Sequence, residues 1–597
     1  MTAGLGGAWG SCVGLLLVLI STPLSAETAA GPGALAWAGD RLVVAETLAS
    51  RLTDIDAVTG SVQQRMALPG RPAAVVVARD GTRYVALAEP VGRIAVVRAG
   101  RVERLWPCGH TPSALALSPD ELFLVVAERF DTTVAVLDIR DGHSLRRQRV
   151  QREPVALAVT PDGRRVVVAN LVPTGRSDQG GVAAMVSILD TAGERPARQL
   201  SLAEGSSAVR GVAVSPDGQF AYLTHQVARY QVPATQLERG WMMTNAISVL
   251  DLGAERLLAT VLLDDVAQGA ANPWAVVATP ERLVVALAGS QEVCLIDRQG
   301  LHRRLAEPGV AERAVDDLGF LAPLRQRIPA GVLGPRALLV QGSRLWIAGC
   351  FSDDVARLDL DAADKAPRIT TLGPGAGTDP VQRGEMAFND ARRCFQTWQS
   401  CASCHVDARS DALDWDLVND GLGNPKNTKG LVRSHDTPPV MWLGGRPDTA
   451  TSLRASFRSS LYHTVDDATA NDVEAFLASL QPVPSPALAV VDGTRVRSPA
   501  AQRGERVFLA TECSECHRPP LYTDRRRHDV GTGLGPDAGQ GIDTPSLIEV
   551  WRTAPYLHDG RAATLREVLV DHQHPDGRAT RLTPADLNDL LMFLESL

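Results

Sequence analysis

A repeated unit in the first half of the chain constrains the fold most strongly. Each unit has an apolar strand, a turn that is Ser/Thr-Pro-Asp in the clearest copies, a second apolar strand and, in those copies, a strand ending in Leu-Asp. Period-two apolar alternation around such turns predicts antiparallel strands. Seven units at roughly 40-residue spacing are typical of β-propeller blades. The units begin at Gly33, Pro72, Pro112, Pro154, Val209, Pro273 and Pro335.

Over about residues 33–365 the repeat resembles the YVTN family of β-propellers, through its "SPDG" turns and "VAVLD"-type strands. This resemblance implies a fold and no reaction. Two insertions interrupt the repeat, one beginning at Pro173 and a longer one running from Ala228 to Ala246. Insertions in repeat proteins often form the binding face, and local packing of an oversized loop is the alternative.

The pattern changes at "GPGAGTDP", residues 373–380, where glycine and proline mark a linker. Beyond it the apolar period becomes helical, and the segment duplicates itself. "QRGEMAF" matches "QRGERVF", "DTPP" matches "DTPS", and "GRPDTATSLR" resembles "GRAATLR", always in the same order. Four shared landmarks, counting the motif discussed next, predict two related helical modules.

Each module contains a Cys-x-x-Cys-His motif, and three kinds of site use such a motif. The two copies are Cys401, Cys404 and His405, and Cys513, Cys516 and His517. Structural zinc needs a second ligand pair, which neither module supplies, so only a zinc ion shared between modules is compatible. A redox dithiol is typical of a βαβ setting, whereas this setting is helical. Covalent attachment of c-type haem explains both thiols and the adjacent histidine, with His405 and His517 as proximal iron ligands.

Residues 380–597 are similar to the bacterial di-haem cytochrome c peroxidase and MauG family. The resemblance is carried by both haem motifs, "YTDRRRHDVGTG", "DTPSL" and "TAPYLHDGRAATLREVL". It implies two covalent c-type haems that exchange electrons, with hydrogen peroxide as a substrate and Ca²⁺ between the modules. The order of propeller and di-haem module also resembles exported propeller–cytochrome fusions.

The sixth ligands decide the chemistry, because an open iron admits a substrate and a closed one only transfers electrons. Family members take a Met or Tyr ligand after the "TL" of the last motif, and this chain has neither there. The nearest candidate is His572, with His574 and His558 as rivals. An exposed loop position is the alternative for His572.

For the first haem, the resemblance predicts an acid/base residue over the iron and a tryptophan near the path between haems. Trp442 approximates that tryptophan, although "MWLGGR" has one residue more than the family pattern. His435 and His463 are the candidates over the iron, because a near-neutral histidine can move protons between peroxide oxygens. Either could instead ligate the iron or lie on the surface, and Met441 is a third candidate ligand.

The N-terminus predicts export. A short apolar core, Val13 to Ile20, is followed by Pro23 and by small residues at Ser25-Ala26. We expect a cleaved signal and a periplasmic or otherwise exported protein that is not integral to the membrane. The net charge of −8, with scattered basic residues, argues against nucleic acid as a partner. Cys394 could form a disulfide with the propeller or be a small buried residue.

These features predict a multidomain chain, with an all-β seven-bladed propeller followed by mostly α-helical tandem cytochrome c-like domains. The leading hypothesis is an exported di-haem oxidoreductase of the peroxidase type with a redox partner protein. The alternatives are a non-catalytic electron-transfer cytochrome and a partner-binding propeller with a cytochrome appendage. The predicted parts are a signal at 1–26, the propeller at 27–372, a linker at 373–379, a first haem module at 380–483, a linker at 484–497 and a second haem module at 498–597.

Overall fold

The computed structural model describes residues 29–236, 241–363, 365–377, 379–417 and 421–597. The predicted signal at 1–26 lies outside these residues. Seven four-stranded antiparallel sheets form the first part of the chain, and each is built from four consecutive strands. This arrangement confirms the predicted seven-bladed propeller.

The first four blades comprise sixteen strands in chain order. Their bounds are β1 Pro32–Ala38, β2 Arg41–Glu46, β3 Arg51–Asp56, β4 Val62–Ala67, β5 Pro72–Val77, β6 Arg83–Leu87, β7 Arg93–Arg98, β8 Arg101–Pro107, β9 Pro112–Leu117, β10 Phe123–Glu128, β11 Thr133–Asp138, β12 Ser144–Arg149, β13 Pro154–Val159, β14 Arg165–Asn170, β15 Met185–Asp190 and β16 Arg198–Ser201.

The last three blades comprise twelve strands, and helix α1, Arg298–Leu305, is inserted in the sixth blade. The strand bounds are β17 Ser206–Val214, β18 Phe220–Ala228, β19 Met243–Asp251, β20 Arg256–Leu262, β21 Pro273–Ala278, β22 Arg282–Leu287, β23 Glu292–Asp297, β24 Arg325–Pro329, β25 Pro335–Gln341, β26 Arg344–Gly349, β27 Asp354–Asp359 and β28 Arg368–Thr371.

The repeated turn has a local cause. The Thr160 hydroxyl donates to Asp162 at 2.5 Å, and Ser118 donates to Asp120 in the same way at 2.6 Å. Gly163 comes directly after Asp162, and Gly218 ends another copy of the turn. Both have φ of +71°, a left-handed conformation that favours glycine. The residues of the turn therefore determine its geometry locally, and the turn connects the first two strands of a blade.

The ring closes where the seventh blade meets the first, with β25 packed beside β1. The buried Asp353 carboxylate accepts the amides of Ala30 at 2.9 Å, Gly31 at 2.8 Å and Gly375 at 2.9 Å. One carboxylate thus fastens the start of the described propeller to the segment that leaves it.

The rest of the chain is helical with short strand pairs, and none of the described helices is long and apolar enough to cross a membrane. The helices are α2 Pro380–Asn389, α3 Cys401–Cys404, α4 Thr449–Ser459, α5 Asp467–Ser479, α6 Pro499–Ala510, α7 Leu565–Val570 and α8 Pro584–Glu595. The short strands are β29 Asp414–Trp415, β30 Lys426–Asn427, β31 Ala489–Val491, β32 Thr494–Val496, β33 Arg527–His528 and β34 Ile542–Asp543.

Both modules use the same pair of crossing helices. Helix α2 packs on α5 in the first module, and α6 packs on α8 in the second. Gly384 allows the close approach in the first pair, since an added Cβ would lie 1.9 Å from the carbonyl oxygen of Asp472. Gly504 has the same role, with 1.8 Å to the Asp589 oxygen. The sequence duplication therefore corresponds to a structural one.

A buried charge cluster fixes the modules on the propeller. Glu153 of the propeller binds Arg552 of the second module at 2.9 Å and Arg129 at 2.7 Å. Asp407, two residues after His405, accepts from Arg210 at 2.7 Å and also pairs with Arg129. The described cysteines are all free, so Cys394 forms no disulfide with the propeller. The contact between the modules and the propeller includes these charged side chains instead.

Candidate functional site

Both Cys-x-x-Cys-His motifs open into one cavity of about 930 Å³. Side chains of both modules line it, and apolar residues form much of the wall. A cavity of this size is in the range of cofactor sites. The motif residues that line it are Cys401, Cys404, His405, Cys513, Cys516 and His517.

Two backbone carbonyl groups orient the His405 ring. Its Nδ1 lies 3.2 Å from the carbonyl oxygen of Arg409 and 3.1 Å from that of Lys429. A carbonyl only accepts, so Nδ1 carries the proton and donates it. Burial lowers the pKa of His405, which favours the neutral ring. Nε2 is then a lone-pair nitrogen available to a metal, the arrangement typical of ligating histidines.

His517 repeats this arrangement in the second module. Its Nδ1 lies 3.1 Å from the carbonyl oxygen of Tyr522, and burial lowers its pKa as well. Two neutral imidazoles, each fixed through Nδ1 and each beside two thiols, therefore face the same cavity. These donors fit a haem at each motif.

The thiols do not fit the redox-dithiol hypothesis, and the arrangement of metal-binding side chains bears on the zinc hypothesis. Burial raises the pKa of Cys401 to about 12 and raises those of Cys404, Cys513 and Cys516. A redox dithiol needs a lowered thiol pKa instead. In the described part of the chain, one group alone brings three metal-binding atoms together, Cys516 with Asp524 and His528. That group omits His517, so it does not support a motif-centred zinc site.

The three candidate sixth ligands of the second haem lie in different places. His558 and His574 line the cavity, whereas His572 does not. The His574 ring centroid lies 6.4 Å from that of His517, with the rings inclined at 67°. Its buried Nδ1 has no hydrogen-bond partner among the described residues, and burial lowers its pKa to about 4.

The 6.4 Å spacing has a specific meaning. Metal–imidazole bonds are about 2 Å long, so two rings on opposite sides of one metal ion have centroids about 6 Å apart. His574 is therefore spaced from His517 as a second imidazole ligand to one metal ion would be, whereas the sequence favoured His572 for that role. Gln573, which lies between the two histidines, has a left-handed backbone at φ 50°.

The structure does not bring His435 and His463 to the cavity. Both side chains are exposed, and neither lines the cavity wall. His435 faces Glu474 instead, at 3.8 Å. The proton-transfer role considered for these two histidines therefore has no geometric support at this site.

Trp442 and Met441 do line the cavity. The Trp442 Nε1 donates to the carbonyl oxygen of Asn427 at 2.7 Å. Met441 accepts from the Ser452 hydroxyl, with 3.7 Å between oxygen and sulfur. Trp442 thus forms part of a cavity wall shared by both motifs, and its role between two redox centres stays a prediction.

The long propeller insertion also reaches the cavity, which sequence reasoning did not foresee. Strands β18 and β19 stay paired as far as Ala228 and Met243, so the fifth blade extends as a long hairpin. Met242 at its tip is 3% exposed, lines the cavity and packs in one cluster with Trp415, beside Cys404. The unusual length of the insertion was visible in the sequence. The residues that it contacts, such as Trp415, lie far away in the chain, so the contact itself was not predictable.

The short propeller insertion meets the modules at their junction. The Ser177 hydroxyl donates to Asp414 at 2.6 Å, and the Ser177 amide donates to the carbonyl oxygen of Gly560 at 3.0 Å. Asp414 also accepts from Asn427 at 3.1 Å. The long insertion therefore lines the cavity, and the short one contacts module segments next to the cavity-lining Asn427 and His558.

The chain is similar to proteins of known function. Hydrazine synthase subunit gamma of Kuenenia stuttgartiensis is 27% identical, over 36% of this chain and 77% of that protein. Methylamine utilization protein MauG of Methylorubrum extorquens is 25% identical, over 46% of this chain and 96% of that protein. Cytochrome-c peroxidase IdrP2 of Denitromonas iodatirespirans is 22% identical, over 42% and 88% respectively. No family model matches the chain.

Among solved structures, Kuenenia stuttgartiensis hydrazine synthase superposes with a TM-score of 0.52 at 23% identity. The superposition covers 57% of this chain and 98% of that chain, and at this identity it shows the fold. Together with the seven blades, the relatives confirm both parts of the predicted resemblance, the propeller and the di-haem peroxidase and MauG-like module. They also support the predicted class of oxidoreductase.

Proposed function

We propose that this protein is an exported di-haem c-type cytochrome oxidoreductase of the peroxidase and MauG type. One haem is attached at Cys401 and Cys404, and the other at Cys513 and Cys516. Haem supplies one-electron and peroxide chemistry when bound, and the protein determines ligation, access and the path between the two sites. The observation that carries the proposal is the single cavity into which both motifs open, with each histidine fixed through Nδ1.

The contact between the His517 and His574 rings supports ligation of the second haem iron by two imidazoles. His517 would hold the iron of the second haem as proximal ligand, and His574, with its ring centroid 6.4 Å from that of His517, would supply the other imidazole. Two imidazoles close the iron to substrate and lower its potential compared with His/Met ligation. The second module is therefore the electron-transfer end of the molecule.

The first site is the candidate reactive end. His405 binds as the proximal ligand, while Met242 and Trp442 line the same cavity. Hydrogen peroxide is the proposed oxidant, and a small redox protein exchanges electrons with the second site. The negatively charged haem propionates would face cavity-lining cations, and the exposed Arg525–Arg527 do not line the cavity. Those lining cations are Arg409, Lys426, Lys429, Arg446 and Arg578.

A second candidate function is electron transfer without peroxide chemistry. It is favoured by one observation, the position of His435 and His463 away from the cavity. A calcium ion between the modules stays a prediction from the family resemblance. Export stays a prediction as well, supported by the signal-like N-terminus and by the compartment in which c-type haem is attached.

The test is a haem count followed by a peroxide reaction on the purified full chain. We expect two covalent haems per chain, one low-spin, and peroxide-dependent oxidation of a reduced c-type cytochrome. Two haems without peroxide turnover, in both the oxidised and the half-reduced protein, would establish the electron-transfer alternative. A chain without covalent haem would refute both functions.

A further inference from the structure

Trp442 is held by both modules. Its carbonyl oxygen accepts the amide of Asp543 at 2.8 Å, and its indole Nε1 donates to the carbonyl oxygen of Asn427 at 2.7 Å. The indole also lines the cavity shared by the two motifs. Trp442 is therefore fixed in the region through which electrons would pass between the two sites.

A positive charge lies next to this indole. The Lys429 ammonium is 4.9 Å from the centroid of the Trp442 ring. It is held there by the Asp543 carboxylate at 3.1 Å and the Met441 carbonyl oxygen at 3.4 Å. Asp543 is 3% exposed, so the second module presents a buried anchor to a lysine of the first. The ammonium is thus positioned toward the ring and does not extend freely into solvent.

Oxidation of Trp442 would place a second positive charge beside the first. An indole that loses one electron becomes a cation unless its N–H proton leaves for a base. Here the N–H is bonded to the carbonyl oxygen of Asn427, and a carbonyl only accepts a hydrogen bond and does not take the proton. The oxidised ring therefore stays charged. Lys429 destabilises that cation, while it stabilises the neutral ring through its quadrupole.

We propose that Lys429 keeps Trp442 in its neutral, reduced form, so that Trp442 connects the two haem sites without accumulating as an oxidised residue. No bond forms or breaks, and the Nε1 proton stays in place. This inference rests on the proposed function, since it assumes a haem at each motif. Lys429 is a positioning residue that acts through Trp442.

The test uses the haem-loaded full chain and an external photochemical one-electron oxidant, so that it does not depend on the peroxide reaction. The yield of tryptophan radical is measured by transient absorption and by electron paramagnetic resonance. W442F identifies the share of the signal that comes from Trp442. In K429M, which removes the charge, we expect that share to rise at least about tenfold, because a unit charge at this distance shifts an equilibrium by that much or more.

Matched variants separate charge from packing. K429R retains the charge and should resemble the parent, whereas D543N removes the counter-charge and should lower the Trp442 signal below that of the parent. A K429M protein with parental haem spectra and a parental Trp442 signal would overturn the inference. So would a K429R protein that behaves like K429M. The haem count and peroxide reaction are measured separately, and their failure would refute the proposed function whatever the radical yield.

Discussion

The amide of Asn427 donates a 2.8 Å hydrogen bond to the carbonyl oxygen of His558. An equivalent hydrogen bond runs from the second module to the first, in which the amide of Asp543 donates to the carbonyl oxygen of Trp442 at 2.8 Å. In each case the last residue of a short strand in one module binds a turn of the other. The two modules are therefore joined by one contact used twice, and Trp442 of the first occupies the place of His558 in the second.

This equivalence extends to the turns themselves. Val440 pairs with Arg446 in the first module as Tyr556 pairs with Ala562 in the second. Met441 and Leu557 both have left-handed backbones, at φ 79° and 68°. The same turn thus presents an aromatic indole on one side of the junction and a titratable imidazole on the other. The modules share a framework but differ in the side chains that this turn places in the cavity wall, Trp442 and His558.

The second axial ligand is the first testable point. Replacing His574 with Ala should convert one haem from low-spin to high-spin, because the ring facing His517 is lost. H572A is the matched control, since His572 lies two residues away and does not line the cavity. Electron paramagnetic resonance of the ferric protein measures the change. A low-spin signal that persists in H574A and disappears in H572A would assign the ligand to His572 instead.

Haem attachment gives the second prediction. C401A/C404A and C513A/C516A should each retain one covalent haem per chain, whereas the parent retains two. The control is C394A, since Cys394 is a buried thiol only seven residues before the first motif and should not affect the count. A pyridine haemochrome assay measures the stoichiometry. Two haems in either double variant would show that the motif is not the attachment site.

The role of the long insertion leads to the third prediction. M242A should shift the absorption of one haem and lower the free energy of unfolding by about 2–5 kcal/mol, because a buried side chain in the cavity wall is truncated. M66A is the control. Met66 is 8% exposed in the core of the first two blades, away from the cavity, so the variant should lose stability without a spectral change. Identical haem spectra in M242A and the parent would contradict contact between the propeller and the haem.

The interface cluster predicts a pH dependence of stability. Burial raises the pKa of Glu153, but the charges of Arg552 and Arg129 outweigh burial and hold the pKa well below its usual value. A carboxyl with a lowered folded-state pKa contributes stability that is complete above its unfolded pKa of about 4.3. That contribution is lost progressively as the pH falls below this value toward the folded-state pKa.

E153Q should therefore lower the free energy of unfolding near neutral pH by about 3 kcal/mol, because two arginines lose a buried partner. The difference from the parent should shrink as the solution is acidified below about pH 4. Denaturant unfolding at both pH values measures this. E194Q, at an exposed position, is the control and should match the parent. An equal loss of stability at both pH values would indicate that packing, not ionisation, dominates at Glu153.

The propeller was predictable because its signals are local. Each "SPDG" turn fixes its own geometry, as Thr160, Asp162 and Gly163 show, and the alternating strands need only their neighbours. The two motifs were equally clear, since their residues lie within five positions of one another. Sequence reasoning therefore identified the blades and the predicted haem anchors.

The positions of His574 and Met242 in the cavity were not predictable, because they depend on contacts between distant parts of the chain. His572 and His574 are two positions apart, on either side of the left-handed Gln573, and it is the His574 ring that lies against His517. The first module has a left-handed residue, Tyr462, at the matching point before His463, yet that histidine remains exposed. Met242 reaches the cavity from a blade far away in the chain. Such contacts depend on tertiary packing, and no local pattern encodes them.

The position of the insertion against Cys404 also has a consequence for the order of events during biogenesis. Cys404 is partly buried against Trp415 and the hairpin that carries Met242, and burial raises its thiol pKa well above the usual value. On the proposed function, this thiol must form its bond to the porphyrin while it is still accessible. The maturation machinery would then have to act before the hairpin settles on the first module. The propeller, although it precedes the modules in the chain, would complete its docking last and seal a cofactor that is already in place.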